Sequence, residues 1–406
     1  MTEATHITAA PAHSRESGII GIVSVAHFVS HYFILILPPL FPFIRADYAV
    51  SYTELGLAIA AFNVVSALFQ TPAGFLVDRF GPRPLLIAGL LLGAGSFTIA
   101  GFVSSFWMLV AMSAVAGLAN TVYHPADYAI LSGLISGQRI GRAFSIHTFA
   151  GMLGAAMAPP TLLTMQAIVG WRGALVGGAL LGCLAAAIVG FFNEPSIDRL
   201  KTKDAHGAAQ TSGEPSGWKL LMSAAILQSF VLYTLLSSGG GLSNYAVVAL
   251  AALYDTPLTV ANAALSGFLL LSAIGVLAGG ILVGWTTRHT LVAALGFAAT
   301  GIFATLIGIV DLSALTLIIV MSLAGFFTGL VMPSRDMIVR ESAPPGSFGK
   351  VFGFVSTGFN VGGIIFPLIF GALMDHTLPA AVFLFVGACS AACILIVVIR
   401  RPVEAR

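Results

Sequence analysis

Charge is what this sequence has least of. Asp, Glu, Lys and Arg make up only 8% of its 406 residues, about a third of what a water-facing surface usually carries. That scarcity excludes a soluble globular chain of this length. The formal net charge of +2 is the balance of a few basic loops, so no nucleic-acid partner is expected. Cysteine is also scarce: Cys183, Cys389 and Cys393 all fall inside apolar runs, where they read as small packing residues, and no disulfide is expected. No G-x-x-x-x-G-K-[ST] loop is present, which argues against direct drive by ATP. No clustered nucleophile and base, metal-ligand set or His-Glu pair marks an intramembrane enzyme. Neither a cofactor nor a metal is expected.

What the chain has instead is apolar length. Hydrophobic residues make up 58%, with 29 Phe and 45 Gly, and the mean hydropathy is +0.98. Runs of about 20 apolar residues cross a hydrocarbon core of about 30 Å. Twelve such runs are expected, at 18–43, 53–77, 84–104, 107–134, 143–168, 173–192, 220–251, 258–284, 290–310, 313–338, 349–374 and 379–400. The first 17 residues are polar and the run after them is too long for a signal peptide, so the chain is expected to keep its first span. With both termini in the cytoplasm, fifteen basic residues, among them Arg15, Arg79, Arg83, Arg139 and Arg142, fall inside, while Arg45 and Arg172 fall outside. The opposite orientation inverts that bias. An all-α polytopic protein of the bacterial inner membrane is the expected class.

The longest polar stretch, residues 193–219, reads as a cytoplasmic linker between an N-terminal six-helix bundle (1–192) and a C-terminal one (220–406). The two parts match each other at a shift of 208. Pro125, Gly141, Phe144, Gly154 and Pro159 recur as Pro333, Gly349, Phe352, Gly362 and Pro367. Duplicated six-helix halves imply a substrate site between them near the bilayer midplane, opened to each side in turn by rocking.

The stretch GFLVDRFGPRPLL, residues 74–86, has the form G-x-L-x-D-R-x-G-x-R through Gly74, Asp78, Arg79, Gly81 and Arg83. It resembles the loop between helices 2 and 3 of the major facilitator superfamily. The resemblance implies twelve helices in two six-helix pseudo-repeats and a conformational latch, in which Asp78 approaches the inner start of helix 11 while Arg79 and Arg83 hold neighbouring helix ends. A carboxylate near a helix N-terminus gains roughly 0.3–1 kcal/mol from the dipole. The antiporter patterns of the superfamily are not kept: Ser113 stands four residues before Gly117 where drug exporters carry Arg. The His-Pro at 124–125 resembles fosmidomycin-resistance-type transporters.

Ionisable groups at membrane depth are costly unless they face a cavity or a partner, which makes each a functional candidate. His27 and His31 share a face of the first run at i, i+4 spacing. His124 follows Asn120 and Tyr123, with Asp127 three residues on. In the resembled superfamily helices 1, 4, 7 and 10 line the cavity, which makes these histidines candidates for proton or substrate contact. His147, near the start of the fifth run, reads as structural. Gln228, Tyr233, Asn244 and Asn360 are the candidates in the second half, and SSGGGLSN (237–244) is expected to weaken its helix. The shift of 208 also pairs Asp127 with Arg335, a candidate cytoplasmic gate; the rival is that each charge finds a local partner.

The expected function is secondary active transport of a small organic solute by alternating access, coupled to protons, with export of an anionic or amphiphilic compound preferred on the fosmidomycin-type likeness. An organic-anion uptake permease, or a transporter-shaped sensor that binds without translocating, are the alternatives. The partners expected are a small-molecule substrate, protons and the lipid bilayer, with the chain working as a monomer.

Overall fold

The structure, a computed structural model, describes residues 12–136, 139–198, 200, 220–342 and 348–399. Most of the expected linker, residues 201–219, and the side chain of Asp78 lie outside the described residues. Among the described residues there are helices and no strands. Backbone polar groups in hydrocarbon must be satisfied within their own segment, and a helix does that.

Eleven apolar runs are long enough to cross a membrane. The longest, Ile140–Phe191, spans 52 residues and breaks at Gly170 (φ 72°, ψ 171°), a left-handed backbone that favours glycine. It therefore counts as two spans, and the total is twelve. They are span 1, Arg15–Tyr48; span 2, Tyr52–Phe80; span 3, Pro82–Phe102; span 4, Phe106–Leu134; spans 5 and 6, the two arms of Ile140–Phe191; span 7, Ala224–Tyr254; span 8, Leu258–Trp285; span 9, His289–Ile309; span 10, Ala314–Ser342; span 11, Phe348–Asp375; and span 12, Pro379–Ile399. The face carrying the basic loops is called inner below, and the opposite face outer.

Proline and glycine set the interruptions. Pro38 and Pro39 turn the outer part of span 1 into a 3₁₀ turn before a last short helix, Phe41–Tyr48. In span 4, Pro125 has no N–H to offer the Thr121 carbonyl, and the helix is interrupted between Asn120 and Tyr123. Span 7 changes its winding where SSGGGLSN stands: a 3₁₀ turn at Ser237–Gly239, then a π-turn at Gly241–Tyr245. The weakened helix is rewound rather than ended.

The sequence motif at the inner end of span 2 has local explanations. Gly81 takes φ 89° between spans 2 and 3, and Pro82 starts span 3 at the first helical position. Arg83 donates to the carbonyls of Val189, Gly190 and Phe192 at the end of span 6, where a helix leaves its acceptors unsatisfied. Arg79 is exposed, its guanidinium over the Phe80 ring.

Small residues bring the spans together. Gly154 of span 5 lies so close to the Phe28 carbonyl of span 1 that a Cβ has no room, and Gly325 of span 10 meets the Phe268 carbonyl of span 8 in the same way. On the inner face, Arg15 makes a two-pronged contact with Glu194 (2.9 and 2.8 Å), tying the start of span 1 to the segment after span 6.

Enlarging Gly154 or Gly325 to Leu should separate those span pairs and cost about 1–3 kcal/mol, read as a lower melting temperature in detergent, whereas Gly74→Leu, where a Cβ meets nothing within 4 Å, should leave it unchanged. The guanidinium of Arg15 holds the Glu194 carboxyl down to about 2, from an ordinary 4.5. A depressed folded-state value contributes stability above pH 4.5 and loses it as the pH falls toward 2. Comparing melting of wild type and Glu194→Gln from pH 7 to pH 3 should show the gap between them closing as the pH falls.

Candidate functional site

Span 1 carries His27 and His31 on one face, and span 5 meets that face with Gly151. A Cβ there would come within 2.5 Å of His27 Cδ2 and 3.0 Å of His31 Cδ2, so the glycine is what lets both imidazoles turn toward spans 4 and 5. The restart of span 4 at Tyr123 delivers His124 and Asp127 to the same place, and span 5 adds His147. The result is four imidazoles around one carboxylate. His27 is stacked on His147 (centroids 3.7 Å apart, planes 20° apart), and His31 and His124 meet its edge at 4.6 and 5.2 Å. His147 Nε2 stands 2.9 Å from Asp127 Oδ2, a hydrogen bond, and His27 Nδ1 stands 3.4 Å from the same oxygen.

Burial makes this cluster chemically restless. Asp127 is 0% exposed, His147 1% and His27 3%. Asp127 Oδ1 and the Nδ1 atoms of His27, His124 and His147 have no hydrogen-bond partner. A carboxylate taken wholly out of water is costly unless a neighbour bonds it. His147, expected to be structural, supplies that bond, because span 5 packs on span 1.

The donors of His27, Asp127 and His147 lie within 4.8 Å of one another, close enough to hold a metal ion. Ring geometry speaks against it. Imidazole binds a metal about 2 Å away in its own plane, and two planes 20° apart with centroids 3.7 Å apart do not meet at a point that close to both nitrogens. One oxygen of Asp127 faces the two stacked imidazoles, bonded to His147 and 3.4 Å from His27 Nδ1.

The second half carries a counterpart at the same depth. Arg335 of span 10, 208 positions after Asp127, is 9% exposed. Its Nε and Nη2 donate to Asp336 Oδ1 at 2.8 and 2.7 Å, and Tyr233 OH donates to the same oxygen at 2.6 Å. The guanidinium lies over the rings of Tyr233 (4.5 Å) and Phe359 (5.2 Å). It borders a cavity of about 80 Å³ with Ser238, Thr300, Thr328 and Ser390 on its wall, room for two or three waters or a small head group.

The expected Asp127–Arg335 pair is therefore not formed: each charge has its partners in its own half. At the outer ends the two halves are joined by the hydrogen bonds of Tyr52 and Thr53 to Asp375 and by the Tyr245 hydroxyl near the Tyr52 carbonyl.

Other candidates are placed elsewhere. Tyr123 packs toward span 3, its hydroxyl 3.4 Å from where a Cβ on Gly93 would be, and Asn120 donates to Ser66 of span 2 (3.4 Å). Asn244 turns onto its own π-turn. Gln228 is half-buried with Oε1 unpartnered, and Asn360 is half-buried on span 11.

Twelve apolar spans with a buried ionisable cluster in each half are the architecture of a polytopic membrane transporter. The family model of the Major Facilitator Superfamily matches residues 23–256 and 230–406, and the chain belongs to that family. It is similar to the probable sulfoacetate transporter SauU of Cupriavidus necator, 26% identical over 389 residues that cover 88% of this chain and 87% of the relative. It is also similar to the probable nitrate/nitrite transporter NarK2 of Mycobacterium tuberculosis, 27% identical over 385 residues, 88% of this chain and 90% of the relative. Among solved structures the nucleoside transporter NupG superposes with a TM-score of 0.75 at 14% identity, covering 94% of this chain and 99% of that one.

Asp127→Asn and His147→Gln remove opposite ends of one buried contact. Each alone should lower the melting temperature more than a surface change does, by about 1–3 kcal/mol, and the double variant should lose less than the sum. Strict additivity would mean that the two groups do not act as one unit.

Proposed function

We propose that this protein is a proton-coupled secondary transporter of the bacterial inner membrane, with both termini cytoplasmic, that carries a small organic anion by rocking its two six-span halves. The observation that carries the reading is the pair of buried clusters, one in each half: a His27–Asp127–His147 unit and Arg335. His31 and His124 adjoin the first cluster. Asp336 occupies the N–H groups of Arg335 that a carboxylate or sulfonate would use, and Tyr233 and Phe359 provide the apolar walls. An incoming anionic head group competes with Asp336 for the guanidinium.

Charge balance supports coupling. Moving a monoanion inward against a potential negative inside costs about 2.3 kcal/mol per 100 mV, and one accompanying proton removes that cost. Uptake by symport is therefore the favoured direction. The preference for export rested on the fosmidomycin-type likeness, which neither relative named above supports, while both of their names specify anions.

Proteoliposomes with an acidic exterior should accumulate labelled sulfoacetate or a related small sulfonate or carboxylate, more with a pH gradient than with a potential alone. Asp127→Asn should abolish that accumulation yet keep counterflow exchange, and Arg335→Gln should abolish both. Binding without any exchange would favour the sensor. Gradient-driven accumulation at the wild-type level in Asp127→Asn would remove the proton site from the cluster.

A further inference from the structure

Where spans 2 and 11 cross at the outer face, the end of one caps the start of the other. Asp375, the last residue of span 11, accepts the Tyr52 N–H at Oδ1 (2.7 Å), and both the Thr53 N–H (2.9 Å) and the Thr53 hydroxyl (2.6 Å) at Oδ2. Tyr52 and Thr53 open span 2, and Asp375 stands more than 320 positions further along the chain. Span 2 has a cap of its own: Ser51 Oγ accepts the Glu54 N–H, and the Glu54 carboxylate accepts the Ser51 N–H. That capping box leaves the N–H groups of Tyr52 and Thr53 without a partner in their own helix. Asp375 supplies it from the other half.

Below the carboxylate the two helices touch backbone to backbone. A Cβ on Gly371 would come within 2.6 Å of Thr53 Cα, one on Gly56 within 2.6 Å of the Pro367 carbonyl, and one on Gly363 within 2.9 Å of Asn63 Oδ1. Tyr245 closes the seam from span 7. Its hydroxyl donates to the Pro367 carbonyl (2.7 Å) and stands 3.5 Å from the Tyr52 carbonyl, while its ring packs between Phe41 and Phe370. It is the last residue of the π-turn, the rewound part of span 7, and π-turns recur where helices must change shape.

We propose that Asp375 is the outer gate: its carboxylate locks the outward mouth by capping span 2 across the halves, with Tyr245 as the plug beneath it. The seam suits opening and closing. Its partners are backbone N–H groups, a hydroxyl and carbonyls, all of which water can satisfy when the halves part, and glycine contacts separate without leaving interlocked side chains. The charge-assisted bonds hold the closed form, and the helix N-terminus favours the anion. The gate rests on alternating access, part of the reading above, but requires neither the proton site nor the anion at Arg335.

The test uses the full-length chain with Cys183, Cys389 and Cys393 replaced by Ala and Asn63→Cys as reporter, labelled from outside by a membrane-impermeant maleimide in right-side-out vesicles. Asp375→Asn should raise the labelling rate about tenfold, the effect of losing charge-assisted bonds, and Asp375→Glu should raise it less. Unchanged labelling in a folded Asp375→Asn protein, checked by size-exclusion profile and melting, would overturn the gate. A second arm covers poor folding of that variant: Thr53→Cys with Asp375→Cys is oxidised and then reduced. Outward accessibility of Asn63→Cys should fall on oxidation below that of the reduced pair and return with dithiothreitol; a cross-linked protein that still labels at the reduced rate would mean that the seam is not the gate. Neither arm needs a substrate, so loss of the anion reading leaves the gate standing or falling on its own result.

Discussion

A carboxylate that no water reaches governs this structure. Asp127 has zero exposure, and a lone ionised group at that depth would cost several kcal/mol. The helix arrangement around it is what makes the position tolerable. Gly154 brings span 5 onto span 1, Gly151 leaves room for His27 and His31, and His147 reaches the carboxylate oxygen. Enlarging those glycines would push the imidazoles away from the carboxylate, so close helix packing is what makes this buried group tolerable.

The two halves solve the same problem with different chemistry. At the position equivalent to Asp127, Arg335 is held by a carboxylate and two aromatic rings instead of by imidazoles. The first half buries a carboxylate among imidazoles, whereas the second half keeps a guanidinium, a permanent positive charge. The two six-span halves thus hold different charged groups at positions that correspond in the repeat.

The cross-half contacts follow a different logic from the clusters. Inside each half, charges pair locally and glycines fit against carbonyls. Between the halves at the outer face, helix-end donors, a carboxylate and a tyrosine hydroxyl meet beside the ring contact of Phe41 with Tyr245. The polar groups among them exchange partners with water at little net cost. Transport needs the halves to remain rigid and the seam to remain reversible, and the distribution of residue types meets both needs.

Much of this was legible in the sequence. Apolar runs of membrane length, the basic inner loops, the repeat at 208 and the motif from Gly74 to Arg83 sufficed for an all-α membrane fold of this family, because the bilayer restricts a spanning chain to few solutions. His27, His31, His124, Asp127 and Arg335 were visible as costly groups in apolar spans. The role of His147 was not, nor were the partners of Asp127 and Arg335, nor the meeting of Asp375 with Tyr52 and Thr53. Each depends on which helix faces lie against each other, and residues far apart in the chain carry no local mark of that. The SSGGGLSN stretch announced a weak helix, but not that it would rewind as a π-turn whose last residue, Tyr245, meets Phe41, Pro367 and Phe370. Composition and periodicity determined that the chain crosses a membrane and is duplicated; tertiary packing decided which buried charge meets which partner, because pairing energies depend on distances of a few ångströms that only the assembled helices define.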